Sequence, residues 1–268
     1  MLRSPRNRQG EAVKVAQIAV QCYTLRDRLQ TAEDFVASMK RVRAIGYEAV
    51  QISGARPMSP LEIRYVMDAE GLTVCATHEP SQDIIERPEA VVEVLGTLGC
   101  TLTAYPSPHV PLDSRADVER LADGLNRAGS VLKAAGMALT YHNHDLEFRK
   151  FGGQTVLEIL FERTDPSLVQ AELDTYWVQA GGGDPVAWCE RMAGRLPLIH
   201  LKDYGMDQRE KAPVMAALGE GNLNLPRIIA AAERGGCQWF IVEQDHGFSD
   251  PFVAIDTSFK FLSQQIAS

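Results

Sequence analysis

Residues 138–174 read ALTYHNHDLEFRKFGGQTVLEILFERTDPSLVQAELD, and the reading of this stretch decides the fold. It opens on an apolar run, Ala138 to His142, that ends in imidazoles. An amphipathic segment from Thr155 to Glu162 follows, and then a second apolar run, Val169 to Asp174, that ends in a carboxylate. Nearly continuous apolar runs suit parallel strands buried on both faces. With a helix between them they form a βαβ unit.

The unit repeats along the chain. Working outward, the same kind of run occurs at Val15 to Cys22, Ala49 to Ile52, Thr73 to Thr77, Leu102 to Tyr105, Leu198 to Leu201 and Phe240 to Glu243. Helical patterns fill the gaps. Thr31 can cap a helix with Phe35, Met39 and Val42 on one face, ended by Gly46. Ser59 precedes Pro60 at a first helical position. Pro88 to Gly99, Ser114 to Gly136, Asp184 to Ala193, Pro226 to Gly235 and Pro251 to Gln264 read the same way. Eight units in 268 residues average 268/8, about 33 residues each, which matches an α/β fold of the single (β/α)8 TIM barrel type. A doubly wound sheet would announce a glycine-rich turn after the first strand, where this chain has CYTLRD. No Pro/Gly/Ser linker divides the alternation, so one barrel is expected over 15–268, behind a disordered or extended tail over 1–14.

Composition bounds the function. Hydrophobic residues are 45% and charged residues 23%, ordinary for a globular protein and unlike a disordered or collagen-like one. No apolar run approaches the ~20 residues of a membrane span. The net charge of −8 argues against nucleic acid or an anionic membrane as partner. Arg3, Arg6 and Arg8 are followed by no apolar h-region, so no secretory signal is read. Five scattered cysteines without a CxxC pair fit buried free thiols in a reducing cytoplasm.

In such barrels chemistry collects at the C-terminal ends of the strands. Those ends offer Tyr23, Arg26 and Asp27 after the first strand, His78 and Glu79 after the third, and His109 downstream of the fourth. The fifth gives His142 and His144, the sixth Glu172 and Asp174, the seventh His200, Lys202 and Asp203, the eighth Glu243, Asp245 and His246. Imidazoles and carboxylates from four consecutive strands can surround one divalent cation. Period-two alternation pairs His142 with His144, Glu172 with Asp174, His200 with Lys202, and Glu243 with Asp245. It does not choose between the members of a pair.

YHNHDLEF (141–148), ELDTYWVQAGGGDP (172–185), HLKD (200–203), GEGNL (219–223) and IVEQD (241–245) stand in this order at the strand ends. Together they make the chain resemble the xylose-isomerase-like sugar isomerase and epimerase barrels over nearly its whole length. The resemblance implies one divalent metal, Mn²⁺ first, with Mg²⁺, Co²⁺, Zn²⁺ or Fe²⁺ as alternatives, held by His142, Asp174, His200 and Glu243. Many epimerases of this family have glutamate where this chain has His142, which counts against a symmetrical two-glutamate epimerisation.

The expected chemistry is isomerisation or epimerisation of a small keto-sugar or sugar phosphate through an enediolate. Beta-elimination from a keto-sugar, inosose or 3-keto-glycoside is the alternative, and a hydrolase of endonuclease IV type a remote one. Glu243 is the first choice of base, with His144 or Glu147 as second acid/base group. Lys202 is placed to neutralise substrate oxygen charge. Tyr23, His78, Glu79, Trp177 and Lys202 are the expected substrate contacts. Glu172 and Asp203 read as rim salt-bridge partners, and the glycines 181–183 as a flexible loop. A small carbohydrate is the expected partner, with a homo-oligomer possible.

Overall fold

The computed structural model describes residues 15–53 and 58–266; the tail expected over 1–14 lies outside them. Eight parallel strands close into a barrel: β1 (Ile18–Gln21), β2 (Ala49–Ser53), β3 (Thr73–His78), β4 (Leu102–Tyr105), β5 (Ala138–His142), β6 (Val169–Asp174), β7 (Leu198–Leu201) and β8 (Trp239–Val242). Each pairs with its neighbours in chain order, and β1 pairs with β8 to close the ring. The (β/α)8 expectation holds.

Around the barrel run α1 (Ala32–Ile45), α2 (Pro60–Glu70), α3 (Ser81–Glu86), α4 (Pro88–Leu98), α5 (Arg115–Ala134), α6 (Val156–Arg163), α7 (Thr175–Ala180), α8 (Pro185–Arg191), α9 (Leu225–Arg234) and α10 (Pro251–Ile266). The expected caps are present. Thr31 Oγ1 accepts from Asp34 N at 3.0 Å, and Ser59 with Glu62 and Thr155 with Glu158 close capping boxes. Gly46 ends α1 at φ 123°, where a Cβ would meet the Phe259 ring at 2.6 Å. Phe35, Met39 and Val42 are buried as their spacing predicts, each worth about 1.5–3 kcal/mol.

Three boundaries differ from expectation. The first strand is shorter than Val15 to Cys22, because 3₁₀ turns at Val15–Gln17 and Cys22–Arg28 take both ends. The third crossover holds two helices, α3 and α4. Arg87, before Pro88, has φ −140° and ψ 50°, a conformation outside the helix that the following proline ring favours. The sixth likewise starts with an extra helix, α7, directly after Asp174. Two antiparallel ribbons decorate the loops, one pairing Lys150–Phe151 with Gln154–Thr155 and one pairing Asp203–Asp207 with Ala212–Ala216.

Period two splits the barrel interior into layers. Ala19, Ala49, Cys75, Leu198 and Ile241 form an apolar bottom. Above them lie Gln21, Gln51, Thr77, Thr103, Thr140, Glu172 and His200, all buried and all polar. Such a layer is costly unless its groups are hydrogen-bonded. They are: Thr77 Oγ1 donates to Thr103 Oγ1 at 2.9 Å, and Thr140 Oγ1 to Thr103 O at 3.2 Å. The five cysteines are buried and free.

Candidate active site

The upper layer rises into a cluster at the C-terminal mouth. His142 and Asp174 end β5 and β6, His200 lies within β7, and Glu243 follows β8. One donor atom from each of these four lies within 4.8 Å of the others, and all four residues are buried. His200 Nδ1 is 2.6 Å from Glu243 Oε2. Asp174 Oδ2 stands 3.9 Å from both His142 Nε2 and His200 Nδ1.

Local sequence orients each group. Asp174 is the N-cap of α7: its Oδ1 accepts from Trp177 N at 3.0 Å, and its own N–H donates to Asn143 Oδ1 at 3.0 Å. That leaves Oδ2 aimed into the cluster, buried and without a hydrogen bond. Thr175 and Lys202 clamp β6 to β7, the hydroxyl accepting from Lys202 N and donating to Lys202 O. Lys202 Nζ sits among three carboxylates, 3.0 Å from Asp174 Oδ2, 2.8 Å from Glu243 Oε2 and 2.9 Å from Asp245 Oδ2.

The charges follow from burial and these neighbours. Burial opposes charge on His200, but Glu172 and Glu243 overcome it and push its pKa up to about 10. For Lys202 burial again works against the charge, and the three carboxylates win, so it stays an ammonium. Burial would raise Glu243, yet Lys202 and His200 hold it well below the carboxylate range. Asp174 is pushed up to about 6 by burial, against Lys202 and His200. Burial lowers His142 well below its usual value and His144 to about 4.

Two imidazoles and two carboxylates, with the buried Asp174 Oδ2 facing both imidazoles and held only by the Lys202 ammonium, fit a first-row divalent cation. Both histidines direct their second nitrogen away from that point, as ligating imidazoles do. The residues therefore suit the metal that the resemblance implies.

The other expected site residues divide. His144 lies beside the cluster, its ring 4.9 Å from His142 and 5.4 Å from Trp177. Trp177 faces Lys202 Nζ, 5.7 Å from its ring centre. Tyr23 is an exposed rim residue under the Arg26 guanidinium. Glu79, just after β3, is part-buried, and burial raises its pKa.

Glu147 is not at the mouth. It is fully buried, accepting from Tyr141 OH at 2.7 Å and from His144 N at 2.9 Å. Tyr141 follows the outward face of β5, so Glu147 braces the 143–146 turn from behind. His78 is committed downward, its Nε2 2.6 Å from Glu172 Oε2. Glu172 is accordingly an interior carboxylate, with no place at the rim. Among the described residues Asp203 also forms no salt bridge: its carboxylate accepts the N–H groups of Tyr204, Gly219, Gly221 and Leu223. Gly181 and Gly183 are packing glycines, since a Cβ on either would strike the Phe148 ring.

Sequence reasoning missed Gln21, Gln51 and Asn143. The signal was there: a glutamine at an inward period-two position of an otherwise apolar strand needs a buried partner.

Residues 39–265 match the xylose isomerase-like TIM barrel family. The chain belongs to this family. Among curated proteins, the inosose dehydratase of Lacticaseibacillus casei is 25% identical over 260 residues, covering 81% of this chain and 85% of that one. The inosose dehydratase of Geobacillus thermodenitrificans (strain NG80-2) is 31% identical over 160 residues, which span 53% of this chain and only about half, 52%, of that protein. Among solved structures, a sugar phosphate isomerase/epimerase from Parabacteroides distasonis superposes with a TM-score of 0.79 at 23% identity, covering 98% of each chain. Within the xylose isomerase-like barrel these proteins therefore carry both lyase and isomerase names. No helix among the described residues is long and apolar enough to cross a membrane.

Proposed function

We propose that this xylose isomerase-like barrel is a divalent-cation-dependent carbon–oxygen lyase that removes water from a small cyclic keto-polyol. The observation that carries this reading is the single-sided carboxylate. Glu243 stands at the cluster, whereas Glu147, the other carboxylate expected to move protons, is turned behind β5. Epimerisation between two carboxylates needs a second carboxylate on the opposite face of the substrate; elimination with one carboxylate does not. The names of the curated relatives support the same choice.

When bound by His142, Asp174, His200 and Glu243, the cation would supply Lewis-acid polarisation of the substrate carbonyl. Glu243 takes the proton from the carbon beside that carbonyl. Both of its polar contacts fall on Oε2; among the described residues Oε1 has no hydrogen bond and is free to act as base. The C–H electron pair enters the carbonyl, giving an enediolate whose charge Lys202 offsets. When that pair returns, the bond to the β-hydroxyl breaks, and the hydroxyl leaves as water with the proton Glu243 had taken. His144, neutral at pH 7, hydrogen-bonds substrate hydroxyls, and Trp177 walls the ring. Mn²⁺ is the proposed cation, and the setting a cytoplasmic enzyme without nucleic acid or membrane partners.

The test is to incubate the cation-loaded protein with an inosose and a panel of keto-sugars and follow products by mass spectrometry and NMR. Loss of the mass of one water from the inosose is expected. An isomeric product of unchanged mass would instead establish the isomerase reading, and turnover of none of them would sink both.

A further inference from the structure

Beneath the four donors runs a hydrogen-bond chain whose direction is fixed at both ends. Tyr23 N donates to Gln21 Oε1 at 3.4 Å, Gln21 Nε2 to Gln51 Oε1 at 2.8 Å, and Gln51 Nε2 to Glu172 Oε1 at 2.6 Å. A backbone amide can only donate and an ionised carboxylate can only accept. Turning either glutamine over would set donor against donor or acceptor against acceptor. Gln51 Oε1 is thus an acceptor, and His200 Nε2, 2.6 Å away, must carry a hydrogen. In a neutral His200 the lone pair is then on Nδ1, the nitrogen facing Glu243 and Asp174.

Glu172 acts on His142 in the same sense. Its Oε2 accepts from His78 Nε2 at 2.6 Å and lies 3.4 Å from His142 Nδ1. That nitrogen is buried without a hydrogen-bond partner, so a hydrogen on it has the Glu172 oxygen to face. His142 Nε2 is left toward Asp174 Oδ2. One carboxylate therefore touches, directly or through Gln51, the rear nitrogen of both histidines.

We propose that Glu172 is a positioning residue. As an anionic floor acting with Gln51, it keeps the hydrogens of His200 and His142 on their rear nitrogens, so that Nδ1 of His200 and Nε2 of His142 turn lone pairs to a single divalent cation. The inference rests on the cation reading above. Donor atoms of His78, His142, Glu172 and His200 also lie within 4.8 Å of one another, but they do not form a second cation site. Glu172 already accepts at both oxygens, and Gln51 Oε1 accepts twice, so a cation there would have to evict these hydrogens.

The experiment strips the full-length protein with a chelator and titrates it with Zn²⁺, a diamagnetic probe, against a chromophoric competitor. Long-range ¹H–¹⁵N NMR of histidine-labelled protein reads which ring nitrogen is protonated. The wild type binds one equivalent, with Nε2–H on His200 and Nδ1–H on His142. Glu172→Gln weakens Zn²⁺ by about 10- to 100-fold, the usual cost of losing a supporting group, and mixes the His142 tautomers. Gln51→Leu weakens Zn²⁺ likewise while leaving the His142 tautomer unchanged, and tests the same floor should Glu172→Gln fail to fold by circular dichroism. Unchanged affinity and tautomers in the folded variants overturn the proposal. Two equivalents in the wild type, one of them lost in Glu172→Gln, overturn it by making Glu172 a ligand. A wild type that binds no Zn²⁺ removes the cation reading itself.

Discussion

His200 is held between a carboxylate and an amide, with Nδ1 2.6 Å from Glu243 Oε2 and Nε2 2.6 Å from Gln51 Oε1. In the cation-free protein its high pKa means that Nδ1 carries a proton at pH 7. A cation must displace that proton to bind there. His200→Gln should accordingly leave less than a tenth of the wild-type cation content by elemental analysis, with the barrel still folded by circular dichroism. Full occupancy in that variant would remove His200 from the ligand set.

Asp174 has two tasks that one substitution separates. Asp174→Asn keeps an oxygen to cap α7 through Trp177 N, so the local fold should persist. It removes the anionic oxygen between the two imidazoles. Cation affinity should fall by more than the about 100-fold that bounds the loss of a supporting residue, with urea stability of the cation-free protein changed by no more than about 1 kcal/mol. A large stability loss with unchanged affinity would mean the residue is only a cap.

Lys202 neutralises three carboxylates from within. Lys202→Met should destabilise the cation-free protein by about 3–5 kcal/mol, since buried charges lose their partner. Added Zn²⁺ should restore much of that loss, because a cation replaces the missing ammonium. Equal destabilisation with and without Zn²⁺ would show that lysine and cation do not share the same field.

Glu147 gives a pH dependence of known sign. Burial pushes its pKa from 4.5 up to about 7, so the folded state holds the proton more tightly than the unfolded chain. Its contribution is fully present below about pH 4.5 and is lost as pH rises through about 7. The span amounts to roughly 3 kcal/mol at about 1.36 kcal/mol per pH unit. Urea midpoints of the wild type should fall between pH 5 and 8, and Glu147→Gln should lack that part of the slope. Parallel pH profiles would refute the assignment.

Much of this was legible before the structure. The βαβ spacing and the caps at Thr31, Ser59 and Thr155 are local signals, set within a few residues, and the strand ends carried the four donors as residue types. What period two could not settle was depth. The register of β6 against β7 pairs Asp174 with His200 and Glu172 with Leu198, two residues lower along the barrel. That register, invisible in one strand's sequence, sends Glu172 to the floor and Asp174 to the cluster. Glu147 lies past the end of β5, in a 3₁₀ turn at Leu146–Phe148, and only the fold shows that its carboxylate turns back to Tyr141 OH and His144 N.

The central claim is that Glu243 takes a proton from the carbon beside a carbonyl held at this cluster. It is tested most directly by hydrogen–deuterium exchange into an inosose in D₂O, followed by NMR at that carbon, with cation content measured alongside. The account predicts exchange or elimination at that position by the wild type, reduced by at least about 100-fold in Glu243→Gln, as for loss of a general base. Exchange at the wild-type rate in cation-loaded Glu243→Gln would contradict it.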